Sequence, residues 1–175
     1  PVDLAPASSL VKSGRQTYWR PRPAIVRVLS ARPYDELRVE REPDLVAIRD
    51  GLRETQIAVR IDSRGPADKH TVMSSCRSAD LDLLHIDAAA EHTELKGPVL
   101  LLERSVDGLR ESVPLSDVFD QVGQRQEGDP IVVCVSGCST LTKSYISAIL
   151  KSLKANCEGK LAAVIGFNEK TKTEV

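Results

Sequence analysis

The sequence predicts an α/β fold, with a mostly parallel β-sheet that carries helices on both faces. Segments of strand character alternate with segments of helical periodicity along the 175 residues, which is the order that βαβ units require. Most strand-like segments are apolar along their whole length, as in IVVCV at 131–135. A strand with one face in water would alternate polar and apolar residues, so these continuous runs indicate a sheet buried on both sides.

Six segments have the apolar or β-branched character of strands and are bounded by Pro, Gly or charged residues. The second, TQIAVRID, alternates between polar and apolar residues. After the fourth, VDGLRESV indicates a hairpin turn and a returning strand. The predicted strands span residues 23–31, 55–62, 81–87, 97–105, 129–137 and 158–167.

Four segments between the strands have helical periodicity. One follows Glu42, one is KHTVMSSCRSAD, one is PLSDVFDQVGQR with Ser116 as the predicted N-cap, and the longest spans 139–156. Each places apolar residues on one face at spacings of three or four. The residues predicted to face the core include Leu45, Ile48, Leu52, Val72, Met73, Cys76, Leu141, Tyr145, Ile149 and Leu153.

Composition excludes several classes of protein. The formal net charge of −1 gives no basic excess for nucleic acid, and the longest apolar runs are far too short to span a bilayer. The four cysteines form no CxxC pair, so we expect no zinc or other metal site. A chain of this size needs no disulfides, which favours reduced thiols and a cytoplasmic location. We also expect no cofactor.

The first residues differ from the rest of the chain. Residues 1–22 are polar, contain several prolines and show no clear period, so we interpret them as a linker or lead-in to a domain at 23–175. The start has neither an initiator Met nor a signal-peptide core. We therefore expect a piece of a longer polypeptide.

Two strand ends carry residues suited to chemistry. HIDAAAEH follows the third strand and VSGCST follows the strand at 131–135, and sites in open α/β sheets lie beyond the carboxyl ends of strands. Cys138 falls at a strand-to-helix turn, where free N–H groups and the helix dipole lower a thiol pKa and hold an oxyanion. Spacing alone slightly favours the alternative, a small residue packed in a tight turn.

The remaining cysteines and the histidines offer no obvious partner for that thiol. Cys134 lies inside a strand, and Cys76 and Cys157 fall on segments predicted to be helical, so all three are interpreted as structural. Of the histidines, His85 lies in an apolar run and is predicted to be a hydrogen-bonded core residue. His70 and His92 lie in polar stretches and are predicted to be exposed.

Taken in order, LLHIDAAAEH, GPVLLLE, PLSDVFDQV and IVVCVSGCST resemble the CHAT domain, a caspase-like (clan CD, separase-related) cysteine protease family. Members carry a motif of the type L-H-F-x-G-H-G after the third strand, then an apolar hairpin. Later an apolar strand runs into a small-residue turn with Cys. The resemblance covers about residues 24–167 and implies a caspase-like three-layer sandwich.

The resemblance implies roles by position. His85 matches the structural first histidine, and Cys138 matches the nucleophile. The catalytic histidine falls on Ala89, and the oxyanion hole falls on the amides of Ala90 and Cys138. Because alanine stands where the imidazole belongs, the resemblance implies a chain that binds substrate and cleaves it poorly.

Three explanations for Ala89 remain open, in this order: a deliberate His-to-Ala substitution, a natural pseudoprotease, or replacement of the imidazole by His92 through a shifted loop. The retained Cys138 favours the first. The third requires a displacement of several ångströms, and the geometry between a nucleophile and its base tolerates little of that.

The same resemblance implies a substrate pocket lined by the end of the first strand, Ser30 to Arg32, and by Ser136, two residues before the nucleophile. Asp87 lies beside it and could hold a loop amide, orient a side chain or cap a turn. Arg32 either favours an acidic P1 residue or is a solvated surface arginine. Family members continue beyond VIGFNE, so we expect a truncated or cleaved C-terminal end, with the remainder on another chain.

The leading functional hypothesis is a cysteine endopeptidase domain that cleaves a partner protein under the control of a sensor domain or subunit, possibly the remainder of the same polypeptide, as CHAT proteins do in bacterial defence. The alternative is a catalytically silent scaffold that binds proteins. A nucleotide-binding domain is a weaker option, because no GxGxxG or Walker A loop follows the first strand. We expect a protein or peptide substrate and neither nucleic acid nor membrane as partner.

Overall fold

A computed structural model of the chain describes residues 11–13, 16–18, 23–35, 46, 48–51, 58–126, 129–136, 146–147, 150–151, 157 and 159–166. The strands there are β1 (Val11–Ser13), β2 (Gln16–Tyr18), β3 (Ala24–Ser30), β4 (Val59–Arg64), β5 (Leu83–Asp87), β6 (Ala90–Thr93), β7 (Gly97–Glu103), β8 (Arg110–Pro114), β9 (Ile131–Ser136) and β10 (Leu161–Gly166). The helices with defined bounds are α1 (Lys69–Arg77) and α2 (Leu115–Gly123). Residues 46, 48–51, 146–147 and 150–151 are also helical.

The central sheet has five strands in the order β10–β9–β5–β3–β4, and every neighbouring pair is parallel. This confirms the predicted α/β fold with a mostly parallel sheet. From β3 the chain first adds β4 on one side and then returns to add β5, β9 and β10 on the other. Ligands of such sheets bind outside the carboxyl ends of the strands where the order reverses, here between β3 and β5.

Both faces of the three middle strands, β3, β5 and β9, are largely buried, as the continuous apolar runs predicted. Leu29, Leu84 and Val133 lie on one face and join the hydrophobic core that includes α1 and α2. Successive residues of a strand point to opposite faces, and Val28 and Cys134, which point the other way, are buried too. The middle of the sheet is therefore interior, whereas the edge strands β4 and β10 have exposed residues.

Helix α1 forms as its sequence predicts. The carboxylate of Asp68 caps it by accepting a hydrogen bond from the Thr71 N–H at 2.7 Å, which satisfies one of the donors left over at a helix start. Val72, Met73 and Cys76 are buried on one face. The predicted core face of this segment is confirmed.

The predicted N-cap of α2 is wrong. The helix begins at Leu115, its N-cap is Pro114, and no side chain caps it. The fixed φ of proline suits the last residue before a helix, so the helix starts before Ser116 can serve as a cap. The hydroxyl of Ser116 instead donates to the Asp117 carboxylate at 3.4 Å.

A second sheet, antiparallel in the order β6–β7–β8, follows β5. The predicted hairpin between β7 and β8 is confirmed. Strand β6 was missed, because its residues AEHT lie in a segment interpreted as a loop. The pairing of Ala90 with Leu100 and of Thr93 with Gly97 stabilises it, and a strand so short and polar has little strand signal of its own.

Two more boundaries differ from the sequence prediction. Strand β4 was expected at 55–62 but begins at Val59, where its partner β3 begins with Ala24, because a strand needs a partner along its ladder. Residues 55–57 lie outside the described residues. Within the segment interpreted as a lead-in, β1 and β2 pair antiparallel.

Arg125, which the sequence did not single out, is 1% exposed and holds the turn before β5. Its guanidinium donates to the main-chain carbonyl oxygens of Ala79 at 3.1 Å and Leu81 at 2.6 Å, and also to that of Ser78. Buried carbonyl groups need such partners. The contacts fix where β5 enters the sheet.

Among the described residues, no helix has both the length and the apolar character needed to cross a membrane.

Replacing Leu84 with Ala should lower the free energy of unfolding by about 2–5 kcal/mol, because its buried side chain leaves a cavity between sheet and helices. The matched control is Leu95→Ala, at a side chain that is 99% exposed, which should change it by less than about 0.5 kcal/mol. Urea unfolding followed by circular dichroism measures both. Equal effects would contradict the placement of β5 in the core.

Candidate functional site

Five polar residues lie where β3, β5 and β9 end, and we name them the edge cluster: Ser30, Arg32, His85, Asp87 and Ser136. The strand register aligns Ser30 with Asp87 and Asp87 with Ser136. His85 lies two residues before Asp87 and therefore on the same face of the sheet. The residues that the sequence proposed for the substrate pocket are thus brought together at the predicted edge.

Arg32 and Asp87 form a largely buried ion pair. The Arg32 Nη2 contacts Asp87 Oδ2, and the two side chains are 14% and 10% exposed. Nη1 donates to the carbonyl oxygen of Ala31 at 2.7 Å and, more weakly, to that of Asp87 at 3.4 Å. Arg32 is therefore not the solvated surface arginine that the sequence allowed, and Asp87 holds a guanidinium.

Glu103, at the end of β7, ties the second sheet to this edge. Its carboxylate Oε1 accepts the backbone N–H of Arg32 at 2.7 Å, and the residue is only 8% exposed. Its own N–H donates to Ala67 O at 3.1 Å. Sequence reasoning missed Glu103, although a single acidic residue that closes the apolar run PVLLLE was a usable signal.

His85 is the hydrogen-bonded core histidine that the sequence predicted. It is 8% exposed, and its Nε2 lies 2.8 Å from the Oγ of Ser136 across the β5–β9 pair. A buried imidazole nitrogen needs a partner, and Ser136 supplies it. The contact holds Ser136, which is the last described residue before Cys138.

Ala89 is exposed and stands in a loop that is hydrogen-bonded on both sides. The N–H of Ala88 donates to Ser136 O at 3.3 Å, and the carbonyl of Ala89 accepts the N–H of Leu101 at 2.8 Å. Antiparallel pairs alternate between hydrogen-bonded and non-hydrogen-bonded positions. Because Ala89 and Leu101 are a bonded pair, the N–H of Ala90 points away from β7.

Cys138 lies outside the described residues, which end at Ser136 in this part of the chain. The described neighbours that the sequence placed around it are Ser136, Ala89 and Ala90.

The other three cysteines are buried and poorly suited to act as nucleophiles. Burial raises the pKa of Cys76 to about 12 and that of Cys134 to about 11. Burial, together with the charge of Asp120, also raises the pKa of Cys157. Because the thiolate is the reactive form, burial makes these thiols less reactive, in line with their predicted structural role.

His70 and His92 are both exposed, as the sequence predicted. His92 lies inside β6, opposite Pro98, three residues beyond Ala89. At about 3.3 Å per residue in a strand, that places it on the order of 10 Å further along the chain. Moving it to the position of Ala89 would break the pairing of β6 with β7, so the geometry gives no support to His92 as a substitute base.

No group of three or more His, Cys, Asp or Glu residues suited to a metal ion occurs in the part of the chain that the structure describes.

No protein family and no curated protein matches this chain. Among solved structures, a flavodoxin of Streptococcus pneumonia TIGR4 matches at a TM-score of 0.36 and 11% sequence identity, over 85% of this chain and 88% of that chain. A likeness this distant carries no functional argument.

Iodoacetamide at pH 8 should leave Cys76 and Cys134 of the native protein unmodified, because burial keeps both thiols protonated and covered. In 8 M urea the same two residues should be alkylated, since unfolding restores an ordinary thiol pKa. Peptide mass spectrometry measures both. Rapid alkylation of Cys134 in the folded protein would mean that this face of β9 is accessible to solvent.

Replacing Asp87 with Asn should lower the free energy of unfolding by about 3 kcal/mol, because it leaves the guanidinium of Arg32 largely buried without its carboxylate. The control is Asp107→Asn, which breaks an exposed pair with Arg104 and should leave stability nearly unchanged. Urea titration at pH 7 compares them. If Asp87→Asn lowers the free energy of unfolding no more than the control does, the Arg32–Asp87 pair is solvated.

Proposed function

We propose that this chain carries a caspase-like cysteine peptidase domain whose catalytic base position is occupied by Ala89. The observation that supports it most is the register of β5 and β9, which puts Asp87 beside Ser136. Residues 89 and 138 each follow two positions later, and two residues extend a chain by at most about 7 Å. The described ends of β5 and β9, Asp87 and Ser136, therefore lie at one edge of the sheet, next to the reversal point where α/β sheets bind ligands.

The proposed chemistry is acyl transfer through a thiol. With histidine at position 89, its imidazole takes the proton of Cys138, the thiolate attacks the scissile carbonyl, and the imidazolium then protonates the leaving amine. The amides of Ala90 and Cys138 are proposed to hold the oxyanion. The direction of the Ala90 N–H, away from its partner strand β7, supports this role.

Two further features agree with the resemblance. An antiparallel hairpin, β7–β8, follows the strand that carries the histidine motif. The first histidine of the motif, His85, is buried and bonded to Ser136, which suits a structural rather than a chemical role. The hairpin is an addition to a simple alternation of strands and helices.

With Ala89 in place of the base, this chain should bind a peptide or protein and cleave it slowly. We propose that the partners are a protein substrate and a regulatory sensor domain or subunit, and that the protein acts in the cytoplasm, where its thiols stay reduced. The competing function is a protein-binding scaffold without catalysis. The position of His92 favours it over a rearranged active enzyme.

Replacing Ala89 with His should create a thiol–imidazole pair with Cys138. The pH at which Cys138 reacts half-maximally with iodoacetamide should fall, because an adjacent imidazolium stabilises the thiolate. Cleavage of a proteome-derived peptide library, read by mass spectrometry, should rise by about 100-fold or more. Adding Cys138→Ala should abolish the cleavage.

Two matched variants serve as controls. Ala162→His adds an imidazole at another exposed alanine, on β10, and should alter neither readout. Adding Cys134→Ala to Ala89→His removes a buried thiol and should leave cleavage in place. If Ala89→His behaves like Ala162→His in both assays, the peptidase proposal is wrong and the scaffold function is favoured.

A further inference from the structure

The inference concerns the charge of the substrate pocket and rests on the function proposed above. An arginine at the end of β3 would ordinarily select an anionic side chain, since a guanidinium binds carboxylates strongly. In this chain Arg32 already has a carboxylate partner, Asp87, from the adjacent strand. The selecting charge is therefore neutralised within the protein.

The donors of Arg32 are directed at protein atoms. Its Nη2 is bound to the Asp87 carboxylate, and its Nη1 donates to the carbonyl oxygens of Ala31 and Asp87. The backbone N–H of Arg32 is held by Glu103. Arg32 is thus fixed both at its backbone and at its guanidinium, and the guanidinium is not positioned to turn toward a ligand.

We propose that the pocket at the carboxyl ends of β3 and β5 selects an uncharged P1 side chain, the one preceding the scissile bond, because Asp87 neutralises Arg32. A carboxylate entering this pocket would have to displace Asp87 and would be repelled by it. An ammonium or guanidinium group would meet Arg32 in turn. For either ion, contacts in the pocket do not offset the free energy of removing the charged group from water. An uncharged side chain has a much smaller desolvation cost.

The neighbours of the pair fit an uncharged ligand. Ser30 and Ser136 flank Asp87 in the strand register, and they add hydroxyl groups without charge. The hydroxyl of Ser136 is already engaged by His85. Glu103 accepts from the backbone N–H of Arg32, whereas Asp87 contacts the guanidinium itself. Asp87 is thus the residue that decides the charge preference, and removing either member of the pair should expose the charge of the other.

The experiment uses peptidyl acyloxymethyl ketones that share P2–P4 and a fluorophore and carry Asp, Lys or Leu at P1. The Cys138 thiolate attacks the ketone methylene, a C–S bond forms, the C–O bond breaks, the carboxylate departs and the thiol proton goes to the base or to solvent. Second-order labelling rates are measured in the Ala89→His protein, with the labelled residue identified by mass spectrometry. We expect the Leu probe to react at least about tenfold faster than either charged probe.

Charge variants in the Ala89→His background test the cause. Asp87→Asn should raise the Asp-to-Leu rate ratio about tenfold or more, because Arg32 loses its partner. Arg32→Gln should raise the Lys-to-Leu ratio instead, and it provides a second reading if Asp87→Asn folds poorly. The matched control is Asp62→Asn, which breaks a comparable pair with Arg27 elsewhere on β3 and β4 and should change neither ratio.

Each outcome bears on the proposal. A charged probe that reacts fastest before any charge variant is made overturns it, and so do ratios that stay unchanged in Arg32→Gln and in folded Asp87→Asn. Labelling of Cys138 no faster than in urea-unfolded protein, with every probe, overturns the peptidase function and this inference together. Fast labelling with the wrong preference overturns the inference alone.

Discussion

The in-register pairing of β5 with β3 on one side and β9 on the other is the constraint on which the rest of the structure depends. A shift of one residue would turn each side chain of β5 to the opposite face, sending His85 and Asp87 into the helix-covered core. In the observed register Asp87 lies instead between Ser30 and Ser136, and His85 lies on the same face between Val28 and Cys134. The backbone ladder of the sheet, which is indifferent to side-chain chemistry, thereby assembles the edge cluster.

Burial then determines which hydrogen bonds and ion pairs form within that cluster. Polar groups removed from water must find partners within the protein, and each pairing here joins two different strand ends. Arg32 bridges β3 to β5 through Asp87, His85 bridges β5 to β9 through Ser136, and Glu103 attaches the second sheet. One of these contacts sets the guanidinium of Arg32 against the carboxylate of Asp87, so the two charges of that pair offset each other. Under the proposed function, stability and selectivity would depend on the same side chains.

Sequence patterns predicted those elements whose signal is local. Continuous apolar runs located β3, β5, β7 and β9, and helical spacing located the buried face of α1. The errors fall where a neighbour decides. Strand β6 exists because β7 lies beside it, the start of β4 follows the start of β3, and α2 begins before Ser116 because Pro114 already occupies the cap position.

The amino-acid sequence by itself determined the fold class and the burial of His85, because hydrophobic periodicity and residue type act over a few neighbouring positions. Asp87, Arg32 and Ser136 are pocket candidates only through the resemblance to CHAT domains. Only the tertiary structure decided that Arg32 is neutralised, since its partner Asp87 lies 55 positions away along the chain. The contact between Glu103 and the backbone N–H of Arg32 likewise joins residues 71 positions apart, so only the tertiary structure reveals it. Ion pairs of this kind follow from the order of strands in a sheet, which no local pattern in the sequence records.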